Sequence, residues 1–282
     1  MYSNLQAAKK SSNPYTVPIS DSTSIRVYSD TRPHNWKISD LQKGLLLVHG
    51  ETETVGEGTG FGVPVLLYSD ETCFSGTSTV EVVQQNDCAI IRKGFVMDRI
   101  ARNSFRNVTL ENRKARDLIA FLARLYQLYP RLRLLKLKGL IGNIDVGSVF
   151  VKKEPVGKTV VTYVVNKRQI SINANFKQLK TDGLERLFML NEQGSRFYRK
   201  YSDSSGTELT DARIGAWDGI ETDWAALTTL HGELGFRLWT NEKSVLRRGR
   251  EFLDNSLDWV GLDYEIHPGT NVFKYQIEIL GK

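Results

Sequence analysis

The chain has 282 residues, 40% hydrophobic and 25% charged, with a formal net charge of +6. That composition is ordinary for a globular protein, and the length suits one large all-β domain or two average ones. It excludes a disulfide framework, because Cys73 and Cys88 are the only cysteines, and a membrane-spanning helix, because no run approaches about eighteen apolar residues. The two thiols read as buried in a reducing compartment, with one cross-strand disulfide as the alternative.

In chain order, residues 1–24 are polar and Ser-rich, and no apolar stretch follows Lys9 and Lys10. They read as a flexible tail rather than a signal peptide, and the protein as cytoplasmic. Strand-like runs follow at 44–49, then at 63–68, 78–83 and 88–91. Between the first two, Gly56, Gly58, Gly60 and Gly62 recur at every second position. A phosphate-binding loop would close on Gly-Lys-Ser/Thr, whereas Val63-Pro64 stands here, and the spacing also departs from a dinucleotide fingerprint. Alternate residues of an extended chain share a face, so these glycines leave one face bare. That suits a tightly packed or bulged strand, or the wall of a site in which Glu57 contacts a ligand.

The pattern changes at Thr109. Leu118, Phe121, Leu122, Leu125 and Tyr129 recur at helical spacing until Pro130. From Arg113 to Lys138 eight Lys or Arg stand against Asp117 alone, a local excess of +7 that exceeds the charge of the whole chain. The spacing predicts a basic helical insertion over about 109–145. Through Arg113, Lys114, Arg124, Arg131, Arg133 and Lys136 it would meet an anionic membrane or a protein partner. With neither a binding module nor a stacking motif beside this charge, nucleic acid is not the expected partner.

Strands resume at 159–165 and 168–176, joined by a turn at Asn166-Lys167. Further strands are predicted at 186–190, 197–201 and 234–239, and Phe273, Tyr275, Ile277 and Ile279 alternate at the C-terminus. Asn191-Glu192-Gln193-Gly194 reads as a turn. Many short strands without alternating helices predict an all-β fold, a large antiparallel sandwich over 25–282 that carries the insertion.

Two segments carry candidate chemistry. Trp217 and Asp218 lie in 213–224, where aromatic rings mix with acids as a sugar site requires: a ring covers apolar C–H groups and carboxylates bind hydroxyls. Arg250, Glu251 and Trp259 lie in 247–259, where an arginine could hold an anionic sugar. A core-pinned loop and a solvated salt-bridged surface are the respective alternatives. His34, His49, His231 and His267 show no zinc-ligand spacing, so neither a metal nor another cofactor is expected.

The Gly-rich run into Val63-Pro64-Val65, then Asp70-Glu71 and Phe74-Ser75-Gly76, resembles the early hairpins of galactose mutarotase-like supersandwich domains. The later order is similar: paired strands, Asn191-Glu192-Gln193-Gly194, Ile214-Gly215-Ala216-Trp217-Asp218, and a last strand after His267-Pro268-Gly269. The resemblance implies carbohydrate more than any one reaction. It implies a histidine acid and a C-terminal glutamate base on a concave sheet face, for which His231 and Glu251 are the nearest candidates. The expected function is therefore carbohydrate binding or processing, in the manner of an aldose epimerase. The alternative is a non-enzymatic interaction or peripheral membrane protein acting through 113–138.

Overall fold

The computed structural model describes residues 14–29, 42–68, 72–85, 88–104, 148–253 and 257–281. The chain divides into two units, Met1–Arg99 with Glu154–Lys282, and Ile100–Lys153. Of the second unit, the described residues are the ends of two long strands. The expected helical insertion, and with it Arg113, Lys114, Arg124, Arg131, Arg133 and Lys136, lies outside the described residues.

The fold is almost entirely β, and no helix of seven or more residues occurs among the described residues. Strands β1 (Tyr15–Pro18), β2 (Thr23–Val27), β3 (Leu46–His49) and β4 (Thr52–Glu53) form a four-stranded sheet in that order. Within the stretch expected as a polar tail, 1–24, Tyr15–Pro18 is a strand and Thr23 begins another, and Val17, Thr23, Ile25 and Val27 alternate inward and are buried.

The remaining strands are β5 (Gly60–Tyr68), β6 (Thr72–Gln85), β7 (Cys88–Ser104), β8 (Ser148–Asn166) and β9 (Gln169–Leu179). Then come β10 (Leu184–Gln193), β11 (Lys200–Asp203), β12 (Glu208–Thr210), β13 (Asp218–Ile220) and β14 (Trp224–Thr228). Last are β15 (Leu234–Trp239), β16 (Ser244–Leu253), β17 (Leu257–Ile266) and β18 (Val272–Gly281). They form one 14-stranded sheet in the order β12-β11-β14-β15-β18-β9-β8-β7-β6-β5-β10-β17-β16-β13. A 3-10 turn, Asp211–Ile214, joins β12 towards β13.

The hairpin expected around 159–176 is present as β8 and β9, with Asn166 opposite Gln169 and Lys167 in the left-handed region at φ 51°. The strand expected at 197–201 begins later, at Lys200, because Phe197 and Tyr198 are turned back by amide bonds to the Gly194 carbonyl. The turn expected at 191–194 is instead the end of β10, paired on both sides.

The sheet folds over on itself, and β5, β10, β17 and β16 face β8, β9, β18, β15 and β14 across one apolar core. Ring contacts cross the gap: Phe61 to Phe236 at 5.0 Å and Tyr264 to Tyr275 at 5.1 Å between centroids. No disulfide joins Cys73, which is buried, to Cys88.

The alternating glycines belong to this packing. A Cβ on Gly58 would lie 2.9 Å from the Glu192 carbonyl carbon, and one on Gly60 would lie 2.6 Å from the Leu45 carbonyl oxygen. Gly62 has φ +76° and would meet the Tyr163 ring at 2.7 Å, while the Tyr163 hydroxyl donates to the Gly62 carbonyl at 2.9 Å. The bare face is therefore occupied by neighbouring backbone and one ring. Gly62→Ala is expected to destabilise the fold by roughly 2–4 kcal/mol, through left-handed strain plus overpacking. Gly50→Ala, at φ +59° with nothing within 4 Å, should cost only about 1 kcal/mol. Urea denaturation of the two variants measures the difference.

Candidate functional site

Along β17 the period of two separates two faces. Leu262, Tyr264 and Ile266 are buried in the interlayer core. Trp259, Gly261, Asp263 and Glu265 therefore take the opposite face. On β16, Glu251, Gly249 and Arg247 stand directly across from Trp259, Gly261 and Asp263. On β10, Glu192 stands across from Gly261. This outer face thus gathers an acid from each of three neighbouring strands around two glycines.

Trp217 fills the space that the glycines leave. A Cβ on Gly249 would lie 2.3 Å from its ring, and one on Gly261 would meet the Trp217 ring at 3.0 Å, Glu192 Cγ at 3.1 Å and Asp263 Oδ1 at 3.2 Å. One point above Gly261 is thus touched by an aromatic ring and two carboxylate side chains. The segment carrying Trp217 is held by three bonds. Arg250 N–H donates to the Gly215 carbonyl at 2.9 Å, Asp218 N–H donates to the Ala216 carbonyl at 2.6 Å, and the Arg247 guanidinium donates to the Trp217 carbonyl. Gly215 makes the entry bend at φ 88°.

The electrostatics follow from enclosure. Burial pushes the Glu192 carboxyl up to about 7, and Glu251 pushes the same way. The Thr59 amide, which donates to Glu192 Oε2 at 3.3 Å, and Lys43 pull it down by less. Asp263 is raised well above the usual carboxylate range by burial and by Glu192, against the pull of the Asn191 amide at 2.7 Å and of Arg247. Two enclosed carboxyls this near one another disfavour double ionisation. Lys43 is pulled below the usual ammonium range by burial, against the opposing field of Glu57, Glu53 and Glu192, and its Nζ donates to the Gly56 carbonyl at 3.4 Å. Glu265 closes the row, accepting both arms of Arg186 at 2.7 and 2.8 Å and a third bond from Arg247 at 2.7 Å.

Among the residues singled out from sequence, Trp217, Glu251 and Trp259 lie on this face. Glu57 is exposed beside it and acts on Lys43. Asp218 is exposed on the edge strand β13. Arg250 points to the other face, where it donates to the Ser195 carbonyl at 3.4 Å, lies 3.8 Å from Asp211 and covers the Phe252 ring. His231 is exposed in the β14–β15 turn. Glu192, Asp263 and Lys43 were not singled out. The signal for Asp263 was present, since Trp259, Gly261, Asp263 and Glu265 form a period-two row. Glu192 was hidden by its turn-like neighbours Asn191 and Gly194. Among the described residues no three His, Cys, Asp or Glu side chains converge to hold a metal ion.

No family model matches the chain, and neither does any curated protein. Among solved structures it is similar to the α-N-acetylgalactosaminidase NagBb from Bifidobacterium bifidum, in complex with GalNAc, with TM-score 0.49 and 8% identity over 95% of this chain. The match covers 36% of that enzyme, so the chain spans about a third of its length. It is also similar to the Slr1438 protein from Synechocystis sp. PCC 6803, with TM-score 0.41 and 11% identity over 100% of both chains. Likenesses this remote bear on neither family nor ligand, and the functional reading rests on the side chains.

The raised Glu192 has a measurable consequence for stability. A carboxyl whose folded value exceeds its unfolded value holds its proton more tightly when folded. Its contribution is complete below about pH 4.5 and is lost as pH rises towards 7. Glu192→Gln keeps the acceptor for the Thr59 amide and removes the charge. The variant should match wild type near pH 4.5 and exceed it at pH 8 by on the order of 3 kcal/mol. Urea denaturation at the two pH values measures this.

Proposed function

We propose that the outer face around Gly261 binds a carbohydrate and that Glu192 moves a proton on it. The observation that carries this reading is the convergence of the Trp217 ring with the Glu192 and Asp263 carboxyls above one glycine. A sugar ring has an apolar C–H face and a rim of hydroxyls. An aromatic ring covers the first, while carboxylates and an arginine bind the second. Trp259 and Glu251 extend the same surface along the strands, and Arg247 with Lys43 supplies donors on either side.

The proton-transfer part of the proposal rests on Glu192. With its carboxyl near 7, both protonation states are populated at neutral pH, which suits a general acid–base group. Its ionised form can take the proton of a sugar hydroxyl, and its protonated form can return one to a ring or glycosidic oxygen. Asp263 is raised as well by burial and by Glu192, so the enclosed pair disfavours carrying two negative charges at once. Trp217 fixes the sugar face against which that exchange occurs. This reading gives the acid–base role to Glu192, whose carboxyl is enclosed, whereas His231 is exposed in the β14–β15 turn.

Binding is tested by calorimetry of a panel of mono- and disaccharides, and chemistry by polarimetry of freshly dissolved aldoses. Trp217→Ala should weaken sugar binding by about tenfold or more, the equivalent of at least about 1.4 kcal/mol. Glu192→Gln should retain binding and remove a rate profile that titrates near pH 7. Absence of binding to any sugar by wild type, or unchanged affinity in Trp217→Ala, would overturn the reading.

A further inference from the structure

A second recess, of about 450 Å³, opens beside β13, the last strand of the 14-stranded sheet. It lies where the β13–β16 layer meets the turns leading to β14 and from β15. Its floor is apolar, formed by Ile220, Val245 and Leu246. Val245 is 48% exposed, a large apolar side chain left uncovered on the surface.

Three carboxylates rim it: Glu221, Asp223 and Glu242. All three are exposed, and none takes part in an ion pair among the described residues. Lys243 shares the turn with Glu242 and does not pair with it. Because the three acids do not converge on one point, they do not form a cage for a metal ion. They suit a cation with reach, carried on a stem long enough to lie along the floor.

The inner end supplies an independent observation. Tyr264 lines the recess from the core side and is 2% exposed, and its hydroxyl is buried with no hydrogen-bond partner. A buried hydroxyl left without a partner is costly, so a polar group entering the recess would relieve it. Beside these groups β13, a three-residue strand, has no second partner strand among the described residues, a place where an extended chain can add backbone hydrogen bonds.

We propose that this recess binds a basic, extended segment of a protein partner. A lysine or arginine stem lies along Ile220 and Leu246, its cationic head is held by the carboxylate rim and the Tyr264 hydroxyl, and its backbone runs beside β13. Charge complementarity selects the occupant: an acidic rim above an apolar floor excludes anionic ligands and favours a long side chain that is apolar along its stem and positive at its tip. The site is separate from the carbohydrate reading and stands without it.

The test is fluorescence anisotropy with a labelled peptide that alternates lysine and valine, alongside the same peptide with glutamate for lysine. Wild type should bind the lysine peptide in a salt-sensitive manner and not the glutamate peptide. The triple variant Glu221→Gln, Asp223→Asn, Glu242→Gln should lose about tenfold or more in affinity, and Tyr264→Phe about threefold. Tyr264→Phe removes a partnerless hydroxyl, so it should be at least as stable as wild type, and an affinity loss cannot then be assigned to misfolding. Glu192→Gln should bind the peptide as wild type does, which separates this result from the fate of the sugar site. No binding of the lysine peptide by wild type up to about 1 mM, or unchanged affinity in the triple variant or in Tyr264→Phe, would overturn the proposal.

Discussion

The Asn191 side chain is the point on which the rest of the structure depends. It is completely buried, and every hydrogen-bonding position it offers is used. Its amide nitrogen donates to the Met189 and Leu262 carbonyls at 3.3 and 3.1 Å. Its oxygen accepts from the Gly62 amide at 3.1 Å and from the Tyr275 hydroxyl at 2.7 Å. One side chain therefore ties β5, β10 and β17 to one another and to β18 in the opposite layer. Removing it would leave several buried groups unpaired at about 1–3 kcal/mol each, which a cavity-filling apolar residue could not restore.

The same residue governs the outer face. Its backbone N–H, on the other side of the strand, holds Asp263, and its position fixes Glu192 as the next residue outward. A carboxylate accepting a backbone bond would ordinarily ionise readily. Here enclosure and the neighbouring acid outweigh that bond, so the carboxyl stays high. The electrostatic character of the face is thus a product of strand register: a slip of one residue would send Glu192 and Asp263 into the apolar core.

Much of the architecture was legible in the residues themselves. The alternation of Ile170, Ile172, Ala174 and Phe176 gave β9, and Phe273 to Ile279 gave β18, because period two survives without knowledge of the partner strand. The four alternating glycines announced close approach, though not that Tyr163, about a hundred residues later, makes it. The outer face was only half legible. Trp217, Glu251 and Trp259 stood out as unusual residue types in unusual company. Glu192 and Asp263 did not, because what distinguishes them is enclosure by each other and by elements far along the chain. Asp263 takes its bond from an amide 72 residues away. No local window contains that information. His231 was singled out by residue type alone, and it lies exposed in the β14–β15 turn.

The link between β12 and β13 has a topological consequence. These strands stand at opposite ends of the sheet order, yet only Asp211 to Trp217 separates them in the chain. Among the described residues the two terminal strands of the sheet order are thus joined covalently by a strap of seven residues, and the strap ends on Trp217. The ring is seated against Gly249 and Gly261 on the paired strands β16 and β17, next to β13. Seven extended residues reach at most about 25 Å, so the strap keeps the strand that carries the 3-10 turn and the strand that follows Trp217 within that distance of one another.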